Sequence, residues 1–324
     1  MTRTWLRRAL QWAVAASSLA LLAACGSGTI ESQLVPKRIV AFGDGTADLG
    51  ETSNASVTNA RYTINDNSVN IWTHEVAVDF GITVTTAALG GTSYATGNAR
   101  VTAKPDAAGN AATPTVQDQI GTFLASGAFV GTDLVAVSAG TADVVAELAK
   151  FVAGAQTNDQ MLANVGQAGR DLGAQVRRLV TAGAKQVVVV GPYDLAKSPY
   201  AQGASQTTAA NAASARFNEQ LLVSIVDLGA NVLYVDAAFF FNLVTSSPST
   251  YGFTNATTAA CTSVDAGPGI GLGAGQVNSA LCTSATLLSG INPAGYVFAD
   301  KIYLSPQSHR LFGDTVYQRV RARW

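Results

Sequence analysis

The sequence predicts an α/β fold: one parallel sheet covered by helices on both faces. Three observations lead there. The strongest apolar runs are short and unbroken, as in Ile39–Phe42, Leu134–Val137 and Val187–Val190. A strand that is apolar on both sides is one buried on both faces. Longer stretches with helical apolar spacing stand between these runs, at 158–182 and 207–228. The alternation continues to the end of the chain, and no linker or second core interrupts it after residue 38.

The elements follow in order. Arg38–Phe42 reads as a buried strand that breaks into a turn rich in Gly and Asp. Ser68–Phe80 has helical spacing, and Thr83–Ala87 reads as a short strand. Thr115–Ala125 is a helix, and Asp133–Ser138 is a second buried strand running toward a Gly. Asp143–Val152 and Asn158–Ala182 are helices. Gln186–Val190 is the clearest parallel strand, stopped by Gly191-Pro192. Thr207–Leu228 is a long helix, Asn231–Val235 a strand, and Pro306–Arg321 a closing helix. The stretch 246–298 is poor in charge and rich in Gly, Thr and Ser, which predicts a long surface excursion. Ligands of open parallel sheets bind beyond the C-terminal strand ends. That rule brings Asp44–Asp48, Gly140–Asp143 and Tyr193–Asp194 to one place.

Composition narrows the chemistry. Of 324 residues, 48% are apolar and only 13% charged, with a formal net charge of −1. A nucleic-acid binder needs a basic surface, so that class is set aside. His74 and His309 are the only histidines, which limits acid–base and metal chemistry. No cofactor motif is present.

Residues 1–25 read as a secretion signal: Arg3, Arg7 and Arg8, then an apolar run to Leu22, then Leu22-Ala23-Ala24-Cys25. The ending resembles a lipobox, with Cys25 as the lipidated first residue of the mature chain. Ser27, rather than Asp, behind Gly26 points to the outer membrane, facing the periplasm or the cell exterior. The expected organisation is a signal over 1–25, a tether over 26–37 and a single domain over 38–324. Export also means an oxidising compartment, so Cys261 and Cys282 are expected to pair. The expected partners are the membrane, through Cys25, and an ester, lipid or glycan ligand.

Four blocks carry a family resemblance. They are FGDGTADLG at 42–50, SYATGNAR at 93–100, VSAGTAD at 137–143 and FADKIYLSPQSHRLFGD at 298–314. In this order they resemble the GDSL, or SGNH, hydrolases, close to the secreted bacterial esterase and lecithinase-like branch. The resemblance implies a three-layer, flavodoxin-like fold and carboxylic-ester hydrolysis. In that family a Ser attacks the carbonyl, a His takes its proton and an Asp orients the His. Two backbone amides and an Asn hold the oxyanion. An alcohol is a poor nucleophile without a base beside it, and the oxyanion needs fixed donors.

Transferred residue by residue, the Ser position is Gly45, the Asn position Ala142 and the His position Tyr303. Gly97 and Asp300 match the oxyanion Gly and the orienting Asp. The resemblance therefore implies an esterase fold whose nucleophile, base and side-chain oxyanion donor are replaced. Thr46 is a poor substitute because a neighbouring side chain on a sharp turn points elsewhere. Ser138 reads as a strand-end residue, His309 as a polar surface or cap position on the closing helix, and His74 as the polar side of an amphipathic helix. Asp44, Asp48, Asp143 and Asp300 are expected to bond turn amides or cap helices rather than hold a metal. The alternative is an active ester hydrolase with displaced catalytic groups.

Overall fold

Each long apolar run becomes a strand of one sheet in a computed structural model of the chain, which describes residues 34–52, 59–66 and 68–324. The signal, Cys25 and most of the tether lie outside the described residues. In chain order the elements are β1 (Arg38–Gly43), α1 (Trp72–Asp79), α2 (Val116–Ser126), β2 (Asp133–Ser138), α3 (Thr141–Val152) and α4 (Asn158–Thr181). Then come β3 (Gln186–Val190), α5 (Pro199–Gly203), α6 (Thr207–Ile225), β4 (Val232–Tyr234) and α7 (Ala237–Ser246). The short strands β5 (Asn255–Ala259), β6 (Val264–Asp265), β7 (Gln276–Val277) and β8 (Tyr296–Phe298) precede α8 (Pro306–Arg323).

The main sheet has the order β1-β2-β3-β4, all parallel. Its register pairs Val40 with Val135 and Val135 with Val187, three side chains buried completely. The crossovers β2–α4–β3 and β3–α6–β4 bring α4 and α6 against each other. Their approach is close because α4 carries small residues where α6 crosses. A Cβ on Gly169 would stand 2.3 Å from the Phe217 carbonyl oxygen, and one on Gly173 would stand 2.4 Å from Ser224 Cβ. The other layer is joined through aromatic rings: Trp72 of α1 and Phe241 of α7 both pack on Phe312 of α8.

Three expectations need correction. The helix predicted over 68–80 is shorter, Trp72–Asp79. Ile71 takes extended backbone, and the residue before it, Asn70, has φ of 55°. No strand forms over 83–87. Thr86 makes only a lone bridge to Ser93, and a 3-10 turn follows at Ala87–Leu89. The 246–298 stretch is more than a surface excursion. β5 pairs with β8, Phe253 and Val297 enter the main core, and Cys261 and Cys282 join a second cluster with Ile64, Ala260 and Ala299. Those two cysteines are bonded, with Cα atoms 5.9 Å apart.

Candidate active site

The turn after β1 is built by two buried carboxylates. Gly43, at φ 153°, lets β1 close on β2, since a Cβ there would lie 2.0 Å from the Ser138 carbonyl oxygen. Asp44 then accepts the Thr46 amide at 2.9 Å, the Thr46 hydroxyl at 2.7 Å and the Ala142 amide at 3.3 Å. Asp48 accepts the amides of Gly50, Glu51 and Gly97 at 2.8, 2.7 and 2.8 Å. These bonds tie the 42–50 block to the 93–100 and 137–143 blocks. Burial raises the pKa of Asp44 above the usual carboxylate range and that of Asp48 to about 6, against the hydrogen bonds that favour the charged form.

Gly45 does not have a left-handed φ. Its constraint is space: a Cβ would stand 2.8 Å from Cε1 and 3.0 Å from the hydroxyl of Tyr303. A Cβ on Gly97 would stand 1.9 Å from Cε2 of Tyr62. The two rings touch, with centroids 4.7 Å apart, and both tyrosines are buried. Tyr62 accepts a hydrogen bond from Asn98 at 3.1 Å. The Gly97 amide is already engaged by Asp48 and by Thr52 Oγ1 at 2.7 Å. Ala142, fully buried at the start of α3, brings only a methyl.

Asp300 is fully buried too, and it shapes the turn that carries Tyr303. Its carboxylate accepts the amides of Ser279, Ile302 and Tyr303 at 2.8, 2.7 and 2.6 Å. Burial raises its pKa, and burial together with the nearby Asp44 keeps the Tyr303 phenol protonated far beyond neutral pH. Tyr303 is therefore no base. Gly45, Gly97 and Asp300 lie around the two phenol rings of Tyr62 and Tyr303.

A second polar spot lies beside this one. Thr46 Oγ1 and Ser138 Oγ are 2.9 Å apart and line a cavity of about 20 Å³ together with Trp72, Tyr193, His309 and Phe312. His309 corrects an expectation: it is fully buried, not on the helix surface. The inward face of α8 points it at α1, where its Nδ1 accepts the Trp72 amide at 3.4 Å. A neutral ring bonded this way carries its proton on Nε2. Burial pushes its pKa down to about 3. Neither His309 Nε2 nor Trp72 Nε1 has a partner in the protein, and a space of this size admits about one water to meet them. His74 is half-buried on α1, and burial lowers its pKa as well.

Asp143 is held by Arg100 at 3.2 Å and by the Val101 amide at 2.9 Å. Burial raises its pKa to about 6, opposed first by the Arg100 charge. The four aspartates thus bond amides, hydroxyls and one arginine. Among the described residues, no three His, Cys, Asp or Glu side chains gather as metal ligands.

The family model for GDSL-like lipase/acylhydrolases matches residues 39–316. The chain belongs to that family. A GDSL esterase/lipase of Arabidopsis thaliana is 29% identical over 163 residues, 46% of this chain and 41% of that protein. The chain therefore matches well under half the length of this relative. Among solved structures, Est24, a carbohydrate acetylesterase from Sinorhizobium meliloti, is 15% identical at a TM-score of 0.48. The match covers 89% of this chain and 100% of that one. The aryl esterase of M. smegmatis is 15% identical at 0.47, with the same two coverages. All four sequence blocks begin inside the span matched by the GDSL family model.

Sequence reasoning missed Tyr62, Thr52 and Trp72. Nothing in RYTIN, residues 61–65, marks Tyr62 as the ring that covers Gly97. Only the resemblance hinted at a bulky replacement, through Tyr303.

Proposed function

We propose that this GDSL-family chain is an exported lipoprotein that does not hydrolyse esters by the family's Ser–His route and acts instead as a binding protein of the cell envelope. The observation that carries this reading is the Tyr303 ring, which occupies the space a side chain at position 45 needs. The Gly97 amide is taken by Asp48 and Thr52. The direct test is chemical. The protein should neither hydrolyse short p-nitrophenyl esters nor react with a fluorophosphonate probe, and labelling at any serine or threonine would overturn the reading.

The ligand we favour is a lipid, acyl or glycan group held outside the filled site. An open groove of about 530 Å³ runs beside the second block, lined in part by Glu51, Tyr94, Thr96 and Gln119. That volume suits a small ligand, and an aromatic ring with a few polar groups is the usual lining. For the lipid anchor, Cys25→Ala should release the protein from membranes, and unchanged fractionation would refute it.

One observation favours a second reading, an active hydrolase with displaced groups. The half-buried Thr46 hydroxyl is bonded to both Asp44 and Ser138, close to the unpartnered nitrogen of His309. Esterase activity that disappears in both Thr46→Ala and His309→Ala would establish it.

A further inference from the structure

In a parallel sheet all the strands start at one end, opposite the candidate site, and here that end has its own character. It is marked by the start of β1 at Arg38, the α6–β4 connection and the last turn of α8, which is tied there by a bond from Arg323 to the Gly229 carbonyl. An apolar groove of about 410 Å³ opens at this end between α6 and β4, walled by Leu222, Val223, Val226, Val232 and Tyr234. Its rim is aliphatic and exposed: Val226 is 80% and Val223 66% accessible. β4 is the last strand of its sheet, so nothing in the main sheet covers its outer side.

Cations ring this groove. Arg177 reaches across to pair with Asp227, next to Val226. Lys185 is exposed, and its carbonyl accepts Asn231, the residue before Val232. Arg323 closes the far side on Gly229, with exposed Arg319 one turn back on the same face of α8. Lys37 and Arg38 mark the start of β1 at the same end, on the opposite edge of the sheet from β4, and Arg38 is paired with Asp133.

We propose that this end of the molecule rests on a membrane surface rich in anionic phospholipid. The Val223–Val226 ridge enters the boundary between headgroups and acyl chains, and Lys185, Arg319 and Arg323 meet lipid phosphates. Aliphatic tips ringed by Lys and Arg are what such a surface selects. The proposal does not depend on Cys25 being lipidated, but it fits that reading: the compact unit begins at the same end, at Leu34. The groove beside the second block then faces away from the lipid.

Residues 34–324 form a compact unit that holds both core clusters of the described residues, so they can be studied without the segment before them. The experiment is flotation of this fragment with phosphatidylcholine vesicles, with and without phosphatidylglycerol. The fragment should float only with the anionic vesicles and be released by molar salt, which shortens electrostatic reach to about 3 Å. Lys185→Gln and Arg319→Gln should each weaken partition about fivefold. Val223→Ser with Val226→Ser should weaken it further while leaving the far-ultraviolet spectrum unchanged. Equal flotation with both vesicle types, or none with either, overturns the proposal. So does a dimer in sedimentation that the Val226→Ser variant abolishes, because a second copy would then cover the groove.

Discussion

The two ends of the sheet differ in how polar groups are treated. At the C-terminal end, carboxylates and tyrosines are buried and bonded into the core: Asp44, Asp48 and Asp300 hold amides, and Tyr62 and Tyr303 fill the centre. At the N-terminal end the pattern reverses, with valines in solvent and cations around them. A fold that hydrolyses esters needs an open C-terminal end. This chain packs aromatic rings at that end and exposes apolar side chains at the other. The difference teaches that the two ends of one sheet can be finished independently, one by burying polar groups and the other by exposing apolar ones.

The sharpest break of the comparison is Tyr303→Ala. If the C-terminal end is packed core, removing the ring should cost about 3–5 kcal/mol, as for other large buried aromatics. Urea unfolding measures it. A loss under about 1 kcal/mol would mean the ring sits in a cleft the protein can leave open, and the filled-site argument would fail.

Next in size is a gain of activity. Gly45→Ser alone should be inert and strained, because its Cβ meets the Tyr303 ring at 2.8 Å. Overpacking of this kind costs about 1–3 kcal/mol. The triple change Gly45→Ser, Ala142→Asn, Tyr303→His supplies nucleophile, oxyanion donor and base, with Asp300 behind the new His. Tyr62 still packs against Gly97, whose amide is taken by Asp48 and Thr52, so Tyr62→Ala as a fourth change makes room for an acyl group without freeing an oxyanion donor. The fourfold variant should exceed the triple in kcat/KM on short acyl esters. Equal rates for the two would mean Tyr62 does not obstruct the chemistry.

Much of this was legible in the sequence, for identifiable reasons. β1, β2 and β3 are buried on both faces, so their residues form continuous apolar runs and the strand limits are sharp. The expectation that Gly45, Ala142 and Tyr303 stand in place of Ser, Asn and His rests on their fixed places in short blocks. The short α1 was not, because extended backbone at Ile71 leaves no trace in apolar spacing. Tyr62 and the burial of His309 were invisible for another reason. Each depends on contacts with residues more than two hundred positions away, Tyr303 and Trp72. The exposed valines of α6 also read as an ordinary helix face, since periodicity shows which residues are apolar but not whether a neighbour covers them.

A pH experiment sharpens the contrast from inside the core. His309 ordinarily titrates near 6.5 but is held to about 3 by burial. Below about pH 6.5 the unfolded chain therefore binds a proton that the folded chain refuses, and stability is lost as pH falls through that window. Asp48 and Asp143, raised to about 6, act in the opposite sense: the folded chain takes up their protons first, so they favour folding as pH falls from about 6 toward 4. Comparing wild type with His309→Leu isolates the histidine. The variant should gain about 2 kcal/mol relative to wild type on going from pH 7 to pH 5, at about 1.4 kcal/mol per unit below 6.5. It removes an unpartnered donor but leaves the buried Trp72 amide without its acceptor, so a pH-independent loss of about 1–3 kcal/mol is expected beneath that slope. A gap between the two proteins that stays constant with pH would show that His309 is protonated in the folded state.

The smallest effect is expected at the N-terminal end, and its smallness is the point. Val226 is 80% and Val223 66% exposed, so in the free protein these side chains remove little apolar surface from water. Hydrophobic stabilisation scales with area buried, about 25 cal/mol per Å². Val226→Ser and Val223→Ser should therefore change unfolding free energy by less than about 0.5 kcal/mol each, as surface substitutions do. Both lie near the C-terminal end of α6, where Ser has a lower helix propensity than Leu or Ala but one close to that of Val. The same valines are exposed at this end while Val187 and Val135, a few ångströms into the sheet, are fully buried. A cost above about 1 kcal/mol for either substitution would mean the valine is covered in the folded protein. The contrast between the two ends would then be lost, and with it the reason to look for a surface that the valines meet.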